Sequence, residues 1–179
     1  RFGAYDPEHT LAIFMSQSGE TADTLASLQE AKRRRIMTMG IVNTVGSSLA
    51  REVDHGGIYL HVGVETSVAS TKAFTAMVVA LLMFGGYVSN KLGQNQVIMR
   101  SLARELLALP KEIETALELR KQIQKISNEL HDRHDWYYLG RGELYPVALE
   151  GALKLSEVAY AHAQAFPAGE MKHGPISLI

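Results

Sequence analysis

Apolar residues along this chain fall into short unbroken runs separated by stretches of helical spacing. Leu11-Ala12-Ile13-Phe14-Met15 has strand length and no polar interruption, as expected of a strand covered on both faces of a parallel sheet. The run stops at Ser16-Gln17-Ser18-Gly19-Glu20-Thr21, after which Leu25, Leu28 and Ala31 mark one side of a helix. A second strand is predicted near 36–42, ending at Asn43. Gly46-Ser47-Ser48 then reads as a turn and N-cap into a short helix over 49–53, and a third strand follows over 57–62. This βαβαβ alternation predicts an α/β fold: a three-layer, doubly wound, mostly parallel sheet with right-handed crossovers.

The third strand runs into a second loop of small and hydroxyl residues, Gly63 to Thr71, with Lys72 one turn into the helix it opens. That helix carries the most hydrophobic segment, AMVVALLM from Ala76 to Met83. Counted over 73–87 it falls short of the ~20 residues needed to span a bilayer, so it is expected to be a buried core helix. A helical stretch over 94–133, broken at Leu109-Pro110, comes next. Its stripe of Ile113, Ala116, Leu117, Ile123, Ile126 and Leu130 is expected to pack on the body of the protein or a partner subunit. A new strand at 136–139, then Gly140-Arg141-Gly142, then a helix over 146–162 with Pro146 in its first turn repeat the plan of residues 11–31. The chain therefore reads as most of one α/β domain with a helical linker, 1–130, and the start of a similar one, 131–179.

Composition narrows the chemistry. With 179 residues, 46% apolar and 21% charged, the chain has the make-up of an ordinary globular protein. A net charge of −1 and a pI near 6.7 give no general affinity for nucleic acid or an anionic membrane, so an anionic ligand must be recognised by a local pocket. The basic run Lys32-Arg33-Arg34-Arg35 closes a helix, where cations complement the dipole. There is no cysteine, hence no disulfide, thiolate metal site or cysteine nucleophile. An opening at Arg1 and an apolar, strand-like ISLI ending lead us to expect an excised piece of a longer cytosolic protein.

Two sets of residues are candidates for chemistry. The first is the strand-to-helix turn at 16–21. A helix start leaves N–H groups unpaired and carries a partial positive charge of about half a unit, which suits an anion. Ser16, Ser18 and Thr21 add hydroxyls, Gln17 an amide, and Gly19 close backbone approach. Taken alone, the motif is better explained by Ser18 or Thr21 capping the helix. The 65–71 loop changes the balance, because it follows another strand end and so lies on the same edge of the sheet, where ligands of such folds bind. The second set is Glu150, Lys154 and Glu157, spaced to share one helix face, with His173 in a loop bounded by glycine and proline. A Glu/Lys face is usually a solvated ion-pair row. This helix is otherwise small and apolar, so its charges call for partners or a task; a histidine brought near Glu157 would form an acid–base pair.

The segments SQSGETADTL, ETSVASTKAF and YPVALEGALKLSEVAYAHAQAFPAGEMKHGP resemble the sugar-isomerase (SIS) superfamily, and the last of them resembles the isomerase part of the glutamine–fructose-6-phosphate aminotransferases (isomerizing). The resemblance runs from Leu11 to Ile179. It implies that Ser16, Gln17, Ser18 and Thr21 bind a sugar phosphate and that Val68 and Ser70 line the sugar pocket. It implies that Glu157 moves a proton between C1 and C2, with Lys154 and His173 assisting ring opening. His173 would come from the neighbouring subunit of a homodimer, and no metal or cofactor would be needed. Fructose 6-phosphate would be the substrate, ammonia from a separate glutaminase domain the amine source, and glucosamine 6-phosphate the product. Three parts of the family pattern lie outside this sequence: the glutaminase domain with its cysteine nucleophile, the first strand of the first SIS domain with a phosphate-binding serine, and the C-terminal tail with an imine-forming lysine. Other readings are a different SIS isomerase or deaminase, and a sugar-phosphate sensor; a sensor needs the 16–21 loop but has no use for Lys154, Glu157 and His173. The 179-residue chain alone is expected to make no glucosamine 6-phosphate from glutamine and fructose 6-phosphate, as a coupled assay of product formation would show.

Overall fold

A computed structural model describes residues 6–94 and 96–179, and the chain divides into two compact units, one running to Ala108 and the other from Leu109 to Ile179. The first unit contains β1 (Leu11–Ser16), α1 (Ala22–Arg33), β2 (Met37–Val42), α2 (Ser48–Glu52), β3 (Gly57–Tyr59) and α3 (Lys72–Lys91). The strands form a parallel sheet of order β1-β2-β3, with Leu11 opposite Met37 and Ser16 opposite Val42. All three strands therefore end on one edge, and the loops that follow them gather there. Leu28 of α1, Val42 of β2 and Leu49 and Val53 at α2 pack together beneath Phe14, Leu25 and Ala50. Thr38, fully buried in β2, donates to Asp54 Oδ2 at 2.7 Å and accepts from the Asp54 N–H at 3.0 Å; this hydroxyl is the main cause of the lowered Asp54 pKa.

Several expectations are revised. β1 is not covered on both faces: Leu11 and Met15, which share one face of the strand, stay exposed, and among the described residues β1 is also the edge strand of this sheet. The third strand is shorter than expected, since its ladder with β2 ends at Tyr59 and His61 then takes up a left-handed conformation. α3 is not a buried helix either. Only Ala73 and Ala80 are buried, while Val78, Leu82, Met83 and Tyr87 are open. At 20 residues it is also longer than the apolar segment suggested, and by length and composition alone it is able to cross a membrane. α4 (Gln96–Glu118) lies beside it: a Cβ on Gly86 would sit 3.2 Å from the Leu102 side chain.

α4 also runs straight through Pro110, where a break was expected, and the interruption falls at Leu119, before α5 (Arg120–Leu130). Proline removes one helical hydrogen bond, but Glu105 to Ala108 and Lys111 to Glu118 are mostly strong helix formers that carry the helix past it. The α4–α5 stripe expected to be packed is open at Ile113, Leu117, Ile123 and Ile126.

In the second unit, β4 (Asp135–Gly140), α6 (Leu144–Ala159) and β5 (His162–Pro167) make a βαβ unit with a parallel β4–β5 ladder. β5 went unrecognised in the sequence, where the helix was carried to His162. Tyr160 ends α6 in the left-handed conformation (φ 53°), and the chain reverses into a strand of alternating small and larger residues. Gly151 is required where α6 crosses the sheet: a Cβ there would come within 2.9 Å of the Tyr138 ring. The ISLI segment is not a strand but most of a short 3-10 helix, Pro175–Leu178.

The start of α3 is sealed from within the chain. Glu65 Oε1 accepts from the N–H groups of Thr71 (3.0 Å), Lys72 (2.7 Å) and Ala73 (3.4 Å). The Ser70 hydroxyl beside the carboxylate is the largest cause of a pKa lowered to about 2; burial opposes it and the three N–H groups add to it. Because the folded value lies below the ordinary 4.5, this cap contributes stability above pH 4.5 and loses it as pH falls toward 2. An NMR titration is expected to show the Glu65 carboxyl and the Thr71–Lys72 amides moving together with a midpoint near 2; a midpoint at 4.5 would remove the cap.

Candidate functional site

The 16–21 turn emerges from β1 as a cup of neutral donors and acceptors. Ser16, buried at the strand end, accepts the Gly19 N–H on its Oγ at 2.9 Å and lies 3.4 Å from Thr21 Oγ1. Thr21 occupies the N-cap position of α1, yet its side chain makes no capping bond; the Ser18 hydroxyl accepts the Glu20 N–H at 3.2 Å instead. Neither hydroxyl caps the helix, so the simpler explanation of the motif does not describe this turn. The orphan N–H groups that every α-helix has in its first turn are left without a side-chain partner from the N-cap.

Gly19 is fixed here for two reasons. Its φ is +69°, and a Cβ would fall 2.1 Å from Ser47 Oγ. Glu20, the one charge in the loop, is turned away: its Oε1 accepts the Ser48 N–H at 2.8 Å at the start of α2. That backbone bond is the chief cause of its lowered pKa, followed by the Ser48 side chain, against burial, and then Arg51. With α2 facing Glu20 and α3 facing Glu65, α1 alone of these three helices meets no carboxylate in the described bonds at its N-terminus.

Beside this cup, Gln17, Asn43, Thr44, His61, Gly63 and Val64 line a cavity of about 490 Å3. A larger groove of about 640 Å3 between α3 and α4 is lined mainly by apolar side chains such as Leu82, Met83 and Leu106, and it contains none of the candidate residues. In the 63–71 loop, the Ser70 hydroxyl stabilises Glu65, Val68 is 99% exposed, and Lys72 Nζ donates to the Val64 carbonyl at 2.9 Å rather than reaching for an anion.

The charged residues belong to the second unit. Lys154 Nζ lies 2.6 Å from Glu157 Oε2 and 3.5 Å from Glu150 Oε1, and all three side chains are only a fifth to a third exposed. The Glu157 hydrogen bond is the main cause of a raised Lys154 pKa, opposed by burial and reinforced by the Glu150 charge. Lys154 is therefore an ammonium at neutral pH, a donor with no accepting lone pair. His173 ends a 3-10 turn, Met171–His173, and is exposed. No hydrogen bond or ion pair joins it to Glu157 among the described residues, and no cluster of His, Asp and Glu there is suited to a metal.

Sequence reasoning noted Asn43 only as a strand end and gave Glu65 no role. Both act through bonds to residues 6 to 26 positions away, and no local pattern announces such bonds.

Two similar proteins, each a glutamine–fructose-6-phosphate aminotransferase [isomerizing], come from Bacteroides thetaiotaomicron (47% identical over 173 residues) and Vibrio cholerae (50% over 176). Each match covers 96% of this chain and 28% of the relative, so the chain spans little more than a quarter of these proteins. Among solved structures, the C-terminal domain of glucosamine-fructose-6-phosphate aminotransferase from Francisella tularensis aligns with a TM-score of 0.90 at 43% identity, covering 94% of this chain and 48% of that one. A glucosamine-6-phosphate deaminase from Thermotoga maritima aligns at 0.77 with 25% identity, covering 99% and 51%. The SIS domain profile matches residues 7–85 and 129–179, well over half of the sequence, and the chain belongs to the SIS domain family.

Proposed function

We propose that this chain is part of the isomerase portion of an isomerising glutamine–fructose-6-phosphate aminotransferase. In this reading it binds fructose 6-phosphate and carries out the ketose–aldose isomerisation that accompanies formation of glucosamine 6-phosphate. The observation that carries the reading is the Glu150-Lys154-Glu157 ladder on a half-buried helix face, in the same chain as an uncharged anion cup. A sugar-phosphate sensor has use for the cup alone. The activities for which the relatives are named support the same choice.

Ser16, Gln17, Ser18 and Thr21 hold the phosphate through hydroxyl, amide and backbone donors, and Val68 and Ser70 line the sugar. Lys154, as an ammonium, and His173 assist opening of the ring. Ammonia condenses with the C2 carbonyl and releases water; Glu157 then takes a proton from C1 and returns it to C2 while the O1 hydroxyl proton passes to the nitrogen, so that the carbonyl ends on C1 and the amine on C2. His173 acts across a homodimer interface, and ammonia comes from a glutaminase domain of the same enzyme. The reaction needs no metal or cofactor and takes place in the cytoplasm. The first SIS domain occupies 1–130 with its helical linker, and the second begins at 131.

In the full-length protein, Glu157→Gln is expected to lower isomerisation by about 10²–10⁴-fold while fructose 6-phosphate still binds, as paired turnover and calorimetric measurements would show. An unchanged rate would take Glu157 out of the mechanism. Ser18→Ala combined with Thr21→Ala is expected to weaken binding of the phosphorylated sugar far more than that of the neutral sugar. Equal losses for both ligands would reduce these hydroxyls to structural supports.

A further inference from the structure

Asn43 stands where β2 ends, and it is bonded in three directions. Its Nδ2 donates to the Gly63 carbonyl at 2.8 Å, its Oδ1 accepts the Val62 N–H at 3.0 Å, and its own N–H donates to the Gln17 carbonyl at 3.3 Å. Thr44 adds a second N–H at 3.3 Å and a hydroxyl at 3.4 Å to the same carbonyl. The side-chain amide in this orientation satisfies a donor and an acceptor of the facing loop together, one through its oxygen and one through its nitrogen.

The consequence for the cup follows from peptide geometry. The peptide bonds are trans, so the Gln17 C=O and the Ser18 N–H point in opposite directions. Three donors from Asn43 and Thr44 hold the carbonyl toward β2, and the Ser18 N–H is thereby turned away from β2. That N–H has no partner among the described residues. On the other side, the carboxamide holds Val62 and Gly63, from which the loop bearing Val68 and Ser70 departs. Gln17, Asn43 and Gly63 are all walls of the 490 Å3 cavity.

We infer that Asn43 is a positioning residue for phosphosugar binding: its amide clamp sets the separation of the 16–21 and 63–71 loops and aims the Ser18 N–H at the ligand. The inference rests on the proposed function. It extends it by giving a task to a residue that touches neither phosphate nor reacting carbons in that scheme. Losing the clamp leaves the carboxylate of Glu157 and its lysine untouched, so the effect falls on binding rather than on the chemical step.

The test uses the full-length protein and two variants. Asn43→Ala is expected to raise the Kd and KM for fructose 6-phosphate about tenfold, with kcat within about threefold of wild type. Asn43→Asp keeps the acceptor for Val62 N–H but sets a carboxylate against the Gly63 carbonyl. It is expected to bind as weakly at pH 8 and to recover toward wild type as pH falls and the introduced carboxyl becomes a donor. His61 lines the same cavity and the sugar phosphate has its own protonation equilibrium; both are present in wild type, so the reading is the difference between the two proteins at each pH. A role limited to folding would lower the melting temperature and leave Kd unchanged. A folded Asn43→Ala protein that binds within twofold of wild type overturns the inference. If it does not fold, an Asn43→Asp protein whose Kd tracks wild type at every pH overturns it. Wild type that fails to bind fructose 6-phosphate would sink the functional reading instead; titration with inorganic phosphate then decides the clamp, which fails if wild type and variant bind it equally.

Discussion

The architecture of the first unit turns on which helix N-terminus is left open. Parallel strands put the starts of α1, α2 and α3 after the same ends of the sheet, and each start carries unpaired N–H groups and a positive dipole end. Glu20 bonds the start of α2 and Glu65 the start of α3, both with lowered pKa values that keep them as carboxylates. An incoming anion meets an internal competitor at both. At α1 it meets hydroxyls, a glutamine and a glycine held against Ser47. At the start of α1 the neutral donors are fixed in advance and Glu20 is directed elsewhere, which leaves Asp23 as the carboxylate in the first turn of that helix.

The second unit uses the opposite strategy. On α6 the charges are kept, but stacked so that one ammonium serves two carboxylates. Partial burial makes this worthwhile: a lone lysine on a helix of alanine, leucine and glycine would lose hydration with nothing in return, whereas between Glu150 and Glu157 its charged form is favoured. The same contacts hold the Lys154 proton more tightly and keep its ammonium as a hydrogen-bond donor to both carboxylates.

Legibility varied with the range of the interactions. β1, α1 and β2 were readable because an apolar run, a turn of small residues and a helical stripe each leave their mark within a dozen positions. The anion cup was readable for the same reason, being one continuous turn. Pro110 misled because a single strong local signal was outweighed by the helix formers on both sides. β5 was hidden because Ala-Tyr-Ala-His continues a helix as well as it begins a strand, and the reversal depends on Tyr160 alone entering the left-handed region. The exposure of α3 could not be foreseen, since apolar composition states what a helix would bury and not what lies against it.

What the amino-acid order determined by itself was therefore the class of fold, the position of the cup and the co-facial spacing of Glu150, Lys154 and Glu157, all of which depend on residues near in sequence. Tertiary structure decided how those parts are aimed. Only folding brings Glu20 to α2, Asn43 to Gly63 and Gln17 to Thr44, because each contact closes a loop of 20 or more residues whose ends meet only once the strands pair. Directional bonds between distant residues leave no periodic trace in a sequence, and they are what turn a run of hydroxyls into an oriented site.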